Sequence, residues 1–218
     1  MNTKDKILAE GLRQLNERGA ERVSIRSIAD AIGISSGNLT YHFKNTDVII
    51  FELYLQLVEK LTEGIHRLQN DELSFTYWYK MQVHYLGIMW EYRFLLLDFV
   101  ALTRRSPKLK ANFQQLVALR QLQFRAAIDR MIQEGMLKEE WIEGLYDKFI
   151  IRLIILTNAW IGDAEVHMPA DKAKQLAFYA DLILNAFVPF LTEEGLEDYR
   201  KMQGEIPQPP FRGYQTVW

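Results

Sequence analysis

The sequence predicts an all-α protein. Apolar residues recur at spacings of three and four along most of the chain, the period of a helix with one buried face. Glycine and proline are scarce, 12 and 6 of 218 residues, which disfavours a turn-rich β fold. The one run that reads equally well as a buried strand, Phe149 to Leu156, has no convincing second strand to pair with. Hydrophobic residues make up 49 % of the chain, ample for one large domain or two small ones. There is no cysteine, which excludes disulfides and thiolate chemistry and is compatible with a reducing cytoplasm. No apolar signal-peptide core opens the chain, and no uninterrupted apolar stretch reaches the about 18 residues of a membrane span. The expectation is a cytoplasmic protein with no membrane partner.

Thr3 to Arg18 reads as the first helix, with Ile7, Leu8, Leu12 and Leu15 as its core stripe. Gly11 inside it costs about 1 kcal/mol against alanine and so marks close packing, and Gly19 ends the helix. Ser24 can cap a second helix whose Ile25, Ile28, Ala29 and Ile32 make one stripe. Gly33 follows at once, suited to the positive φ that closes a helix. Ser35 or Ser36 then opens a third, short helix carrying Leu39 and Phe43 on one face. A small residue such as Ala29 lets that helix cross close to the second. The pair forms a helix-turn-helix, in which the second member lies in the DNA major groove.

A glycine turn between helices is common and says little alone; the composition of the third helix is more telling. Its outer face offers Ser36, Asn38, Thr40, Tyr41, His42 and Lys44, with no acidic residue from Ala31 to Thr46. Short polar donors and one cation suit phosphate oxygens and base edges, whereas a merely solvated face usually mixes in carboxylates. The net charge of −2 is uneven. Residues 1–46 carry seven basic and five acidic side chains, the remainder nineteen and twenty-three. Only a small end of the molecule needs to face phosphate.

Residues 7–50 resemble the DNA-binding domain of the tetracycline-repressor (TetR) family of bacterial regulators. The resemblance rests on Glu17-Arg18-Gly19, Val23-Ser24-Ile25, Ile28-Ala29, Ala31 to Ser35, Gly37-Asn38-Leu39, Tyr41 to Asn45 and Asp47 to Ile50. Two positions depart from the family pattern. Thr40 stands where an aromatic residue is common, and Thr46 where a lysine commonly opens the next helix and contacts phosphate. The N–H groups at that helix start can still receive phosphate. The roles expected are base readout or close groove contact for Ser36, Gly37, Asn38 and Thr40, and phosphate contact for Tyr41, His42 and Lys44. Arg26, in the first turn of helix two, reaches either a phosphate or only solvent.

Helix four is expected from Thr46, its cap, to about Leu68, with Val48, Phe51, Leu55, Val58, Leu61 and Ile65 as its stripe and a loop at Gln69 to Glu72. A fifth helix runs from Glu72 to Tyr92 and a shorter one from Phe94 to about Thr103. Ser106-Pro107 starts another that runs to about Glu134, where Gly135 stops it. The stretches Tyr92 to Asp98 and Ser106 to Leu109 also resemble one branch of the family. Trp141 to about Glu165 is taken as helix. Pro169 and Asp171 open a last long helix with Ala173, Ala177 and Ala180 on one face and a greasy end from Leu182 to Leu191. The family resemblance implies a homodimer built on these two helices, whose apolar surface exceeds what one core requires. From about Gly204 the chain is a proline-rich and aromatic tail, with Tyr214 and Trp218 expected to dock on the body.

The resemblance also implies a small-molecule pocket in the body. Trp78, Met81, Tyr85, Met89, Phe124, Ile128, Ile154 and Trp160 are candidates for an apolar or aromatic effector, although each one singly reads more readily as core. His84, Arg152, Asn158 and Asp163 are polar groups in apolar helices, open to the same two readings. No phosphate loop, nucleophile elbow or zinc-protease pattern is present, and Asp163, Glu165 and His167 do not share one helix face, so no enzyme activity, cofactor or metal is expected.

The sequence therefore divides into a three-helix helix-turn-helix DNA-binding domain (1–46), a larger helical ligand-binding and dimerisation domain (47–204) and a tail (205–218). The expected function is a homodimeric transcriptional regulator, a repressor that leaves a palindromic operator when a small molecule binds. The alternative is the same head on a body that receives a protein partner.

Overall fold

The computed structural model describes residues 2–68, 74–168 and 170–206, with side chains described over the same ranges except 64–68. The expectations for Ile65, the loop at Gln69 to Glu72, Pro169 and the tail from Pro207 lie outside the described residues. Among the described residues there are eleven α-helices and no β-strand. They are α1 (Thr3–Arg18), α2 (Ile25–Ile32), α3 (Ser36–His42), α4 (Thr46–Leu68), α5 (Phe75–Glu91), α6 (Phe94–Leu97), α7 (Phe99–Arg105), α8 (Pro107–Gln133), α9 (Leu145–His167), α10 (Lys172–Asn185) and α11 (Glu193–Glu205). They form two compact units. One is Met1–His66 with Ile88–Asn112, the other Arg67–Gly87 with Phe113–Trp218.

In the first unit, Asn2 and Asp5 cap α1 reciprocally, each side chain accepting the other's backbone N–H. A Cβ on Gly11 would lie 3.1 Å from Ile49 Cγ2, so the missing side chain lets α4 approach α1. Asn45, not Thr46, caps α4, accepting the Val48 N–H at 3.0 Å. Thr46 is the first helical residue instead. The Asn16 side chain donates to the Glu91 carbonyl at 2.8 Å and accepts the Phe94 N–H at 3.1 Å. Asp98 accepts the Ala20 N–H at 2.7 Å. That bond accounts for a break the periodicity hid. The helix expected from Phe94 to Thr103 is two helices, parted at Asp98 (φ −97°, ψ 12°), whose carboxylate faces the α1 terminus rather than continuing a helical face.

In the second unit, α9 and α10 meet through Trp160 and Tyr179, rings 5.3 Å apart. Helix α9 begins at Leu145 rather than Trp141. Gly144 precedes it at φ 71°, and the Glu140 carboxylate accepts the Tyr146 N–H at 3.1 Å. The last long helix expected through Leu191 stops at Asn185. Pro189, with no N–H and a fixed φ, stands in the short 3₁₀ turn Val188–Phe190 that replaces it. A further helix, α11, then follows. Thr192 caps it by accepting the Gly195 N–H at 3.1 Å, and Thr192 N donates to the Met136 carbonyl at 3.1 Å. Asp198 on α11 accepts the Phe75 N–H at 2.7 Å and so caps α5. The run Thr192-Glu193-Glu194, a cap followed by acidic residues, was the sequence signal for α11.

Gly195 is held by this packing. A Cβ there would sit 2.1 Å from the Met136 carbonyl oxygen, a backbone atom that cannot swing aside. Gly195→Ala is expected to cost about 3 kcal/mol in a urea melt. Gly204→Ala, on the same helix with open space around it, is expected to add about 0.5 kcal/mol or more.

Candidate nucleic-acid interface

The head is assembled from α1 outward. Gln14 of α1 is buried, donates its amide to the Ser27 carbonyl at 2.9 Å and to Glu10 at 2.7 Å, and accepts from the Ser27 hydroxyl at 2.8 Å. Ser27 in turn completes a capping box with Ser24, so one buried amide fixes the start of α2 against α1. Arg13 bridges Glu10 and Glu17, both at 2.6 Å, and its hydrogen bond is the largest influence holding the Glu10 carboxyl below the ordinary carboxylate range. Gly33 closes α2 in the left-handed conformation (φ 72°, ψ 33°), and the Ile34 N–H turns back to the Ala29 carbonyl at 3.0 Å. Ser35 caps α3, accepting the Asn38 N–H at 3.1 Å.

Helix α3 is then oriented by two side chains. Leu39 is 0 % and Phe43 1 % exposed. Ser36, Gly37, Asn38, Thr40, Tyr41, His42 and Lys44 are all exposed, Tyr41 at 86 %. The Tyr41 ring meets the His42 ring edge-on at 5.3 Å, and the Thr40 hydroxyl donates to the Gly37 carbonyl at 3.0 Å. This face presents hydroxyls, an amide, an imidazole and an ammonium, and no carboxylate. It can donate to anionic oxygens and exchange hydrogen bonds with base edges. Arg26 is exposed on α2 with Asp30 at 3.7 Å, a contact too open to hold it. Thr46 is half-buried at the start of α4, beside Asp47, whose carboxylate pairs with Arg105 at 2.7 Å.

The eight side chains expected around an effector divide between the two units. Met89 belongs to the first unit and is buried there; the other seven belong to the second. Ile128 and Trp160 are fully buried, Trp160 against Tyr179, because a stripe at helical spacing fills a core. Trp78 packs between Phe75 and Phe187, with ring centroids 5.8 and 5.9 Å away. Met81, Tyr85, Phe124 and Ile154 are half-buried. A shallow surface dent in the first unit, bounded by Asp47, Phe51, Leu102 and Arg105, includes none of the eight. Of the polar candidates, His84 and Arg152 are exposed, while Asp163 accepts from the Tyr179 hydroxyl and faces His167 at 3.2 Å. No group of three His, Cys, Asp or Glu among the described residues is arranged to hold a metal, and no helix is long and apolar enough to cross a membrane.

One residue of the second unit was not singled out by the sequence reading. Arg120 on α8 is 6 % exposed. It occupies an inward stripe with Phe113, Val117, Phe124 and Ile128 at helical spacing, and a cation in such a row was the signal that could have found it.

A three-helix head with a glycine turn, an exposed third helix and a helical body make the helix-turn-helix arrangement of a DNA-binding regulator. The family described as "Bacterial regulatory proteins, tetR family" matches residues 7–53, and the companion family "Bacterial transcriptional repressor" matches residues 56–199. The second match alone spans more than half of the chain, which therefore belongs to the TetR family of bacterial transcriptional regulators. No curated protein is a significant match to the chain. Among solved structures, a TetR-family regulator from Marinobacter aquaeolei VT8 superposes with a TM-score of 0.80 at 22 % identity, covering 95 % of this chain and 100 % of that one. AmtR of Mycobacterium smegmatis gives 0.63 at 17 % identity, with coverage of 95 % and 97 %. SmeT in complex with triclosan gives 0.61 at 16 %, with coverage of 88 % and 92 %. At these identities the likeness is one of fold.

The burial contrast along α3 separates stability from surface. Leu39→Ala is expected to destabilise the protein by about 3 kcal/mol. Tyr41→Ala is expected to leave stability within about 0.5 kcal/mol, read from paired denaturation curves.

Proposed function

We propose that the protein is a homodimeric repressor that holds a palindromic operator through α3 and leaves it when a small apolar or aromatic molecule binds the body. In this reading residues 1–46 bind DNA, residues 47–204 sense and dimerise, and residues 205–218 are an appended tail. The observation that carries it is the acid-free face of α3, whose polar side chains all point to solvent while Leu39 and Phe43 are buried. Ser36, Gly37, Asn38 and Thr40 read bases or line the groove. Tyr41, His42 and Lys44 hold phosphate, with Arg26 and the start of α4 at Thr46 as flanking contacts.

Dimerisation is supported by an exposed stripe on α9. Ile151, Ile155, Ala159, Gly162 and Val166 step by three or four residues and all face solvent, Ile155 at 60 % exposure. Burying the same stripe from two copies removes it from water, and a dimer carries two copies of α3. Recognition helices must lie about 34–36 Å apart to enter successive major grooves. An effector that binds better to a form with a different spacing shifts the population away from the DNA-binding form by that difference in affinity. The triclosan complex of SmeT is a precedent within this fold for a bound small molecule.

The test is a fluorescence-anisotropy titration with DNA from immediately upstream of the gene, beside a scrambled duplex, at two salt concentrations. Tight, sequence-dependent binding with two chains per site is expected. Weak binding, equal on both duplexes and lost with salt, overturns the reading. Within that assay, Tyr41→Ala is expected to weaken both duplexes alike, and Asn38→Ala to narrow the gap between them by about 1–3 kcal/mol. Ile155→Glu is expected to give a folded monomer by sedimentation velocity, with operator affinity lost in parallel.

A further inference from the structure

We propose that the effector is a small organic monoacid, whose carboxylate is received by Arg120 inside the second unit. The inference rests on the reading of the body as a small-molecule sensor and adds the chemical class of the ligand. Arg120 is more than nine-tenths buried, yet no carboxylate among the described residues pairs with it. Its Nη1 donates to the Gln123 side-chain carbonyl at 3.3 Å, and its guanidinium lies 5.9 Å from the centre of the Tyr85 ring. Its Nε and Nη2 have no hydrogen-bond partner among the described residues. Those two nitrogens form one edge of the guanidinium, with parallel N–H bonds spaced to match the two oxygens of a carboxylate.

A purely structural arginine in this protein is treated differently. Arg125, one turn and a residue further along α8, meets Asp129, Glu140 and Asp147 at 2.9 to 3.3 Å. A buried charge without a counter-ion is costly, and burial accordingly depresses the Arg120 pKa, with the Tyr85 phenol the lesser, opposing influence. A ligand that brings a single negative charge removes this cost on binding.

The surroundings define the rest of the molecule. Gln82 precedes Tyr85 by three residues on α5 and so shares its face, and the Gln82 Nε2 is likewise buried with no hydrogen-bond partner. It is a second donor for the same anion. Trp78 and Met81 continue that face, and Phe124 and Ile128 follow Arg120 on α8. These groups suit an apolar body attached to the acid. One cation and one neutral amide balance a monoanion. A phosphate dianion would leave a second charge uncompensated in the same apolar setting.

The test uses the full chain. Straight-chain acids from butyrate to decanoate, together with benzoate and phenylacetate, are titrated by calorimetry and by thermal shift, each beside its primary amide, with hexyl phosphate as a third probe. At least one acid is expected to bind and to raise the melting temperature, with its amide about tenfold weaker or more. Arg120→Met is expected to remain folded by circular dichroism, to melt no lower than the parent without ligand, and to lose the preference for acid over amide. Arg120→Lys, which keeps the charge and loses the fork, is expected to retain only part of it. Should Arg120→Met not fold, loss of the preference in Gln82→Leu supports the proposal and its retention overturns it. Equal binding of acid and amide overturns the acid while leaving an effector of another class in place, provided the amide also releases the operator. Tighter binding of hexyl phosphate overturns the monoacid. No binding of any probe, with operator binding intact, overturns the proposal.

Discussion

The DNA-reading end depends on the burial of Leu39 and Phe43 in the core of the first unit, where Ile7, Leu15, Ile28 and Ile49 are also fully enclosed. A seven-residue helix is too short to persist in water by its own hydrogen bonds, so α3 exists because Leu39 within it and Phe43 at its C-terminal cap are anchored. The same anchoring decides which way it faces. With Leu39 and Phe43 inward, the polar residues have no direction left but outward. The buried amide of Gln14 performs a related task one layer below, joining α1 to the first turn of α2 through a serine that also caps that helix. Stability and recognition are thus assigned to alternate sides of one short segment, and the recognition side is free to vary without unfolding the head.

The second unit organises its charges by a contrast. Arg125 is surrounded by three carboxylates at the surface, whereas Arg120 faces inward with its side-on pair of N–H groups unmatched. Placing one unmatched cation in an apolar setting sacrifices stability locally, and such a sacrifice is characteristic of positions where a ligand supplies the missing charge. A ligand received at such a cation is held by charge more than by shape. That suits a core whose large groups, Trp160 and Tyr179 among them, already fill their space against each other.

How legible each part was followed from the range of the interactions that set it. The head was readable almost residue by residue, because its caps, its glycine turn and its stripes are local in sequence. The breaks in the body were not. Asp98 interrupts a helix because its carboxylate meets the Ala20 N–H, a partner 78 residues earlier in the chain. Helix α11 begins where Thr192 meets Gly135 and Met136, more than fifty residues before it. The start of α4 shows the same limit at close range, since both Asn45 and Thr46 are plausible caps and only the backbone geometry selects Asn45. The apolar candidates for a pocket illustrate a different limit. Periodicity finds side chains that point inward, but it does not distinguish filling a core from lining a space.

What the sequence determined by itself is the helical class, the family and the composition of the reading face, because helical period, caps and motif spacing are properties of neighbouring residues. What only the tertiary structure decided is which inward-facing residues are spent on packing and which are left chemically unsatisfied. Trp160 and Arg120 both occupy inward stripes of long helices, and nothing in their local sequence ranks one above the other as a binding group. The distinction comes from whether another part of the chain arrives to meet them. For Trp160 the ring of Tyr179 does, while the Nε and Nη2 of Arg120 meet no hydrogen-bond partner among the described residues. Satisfaction of a buried polar group is a property of the assembled interior, set by partners that the chain brings together only when it folds.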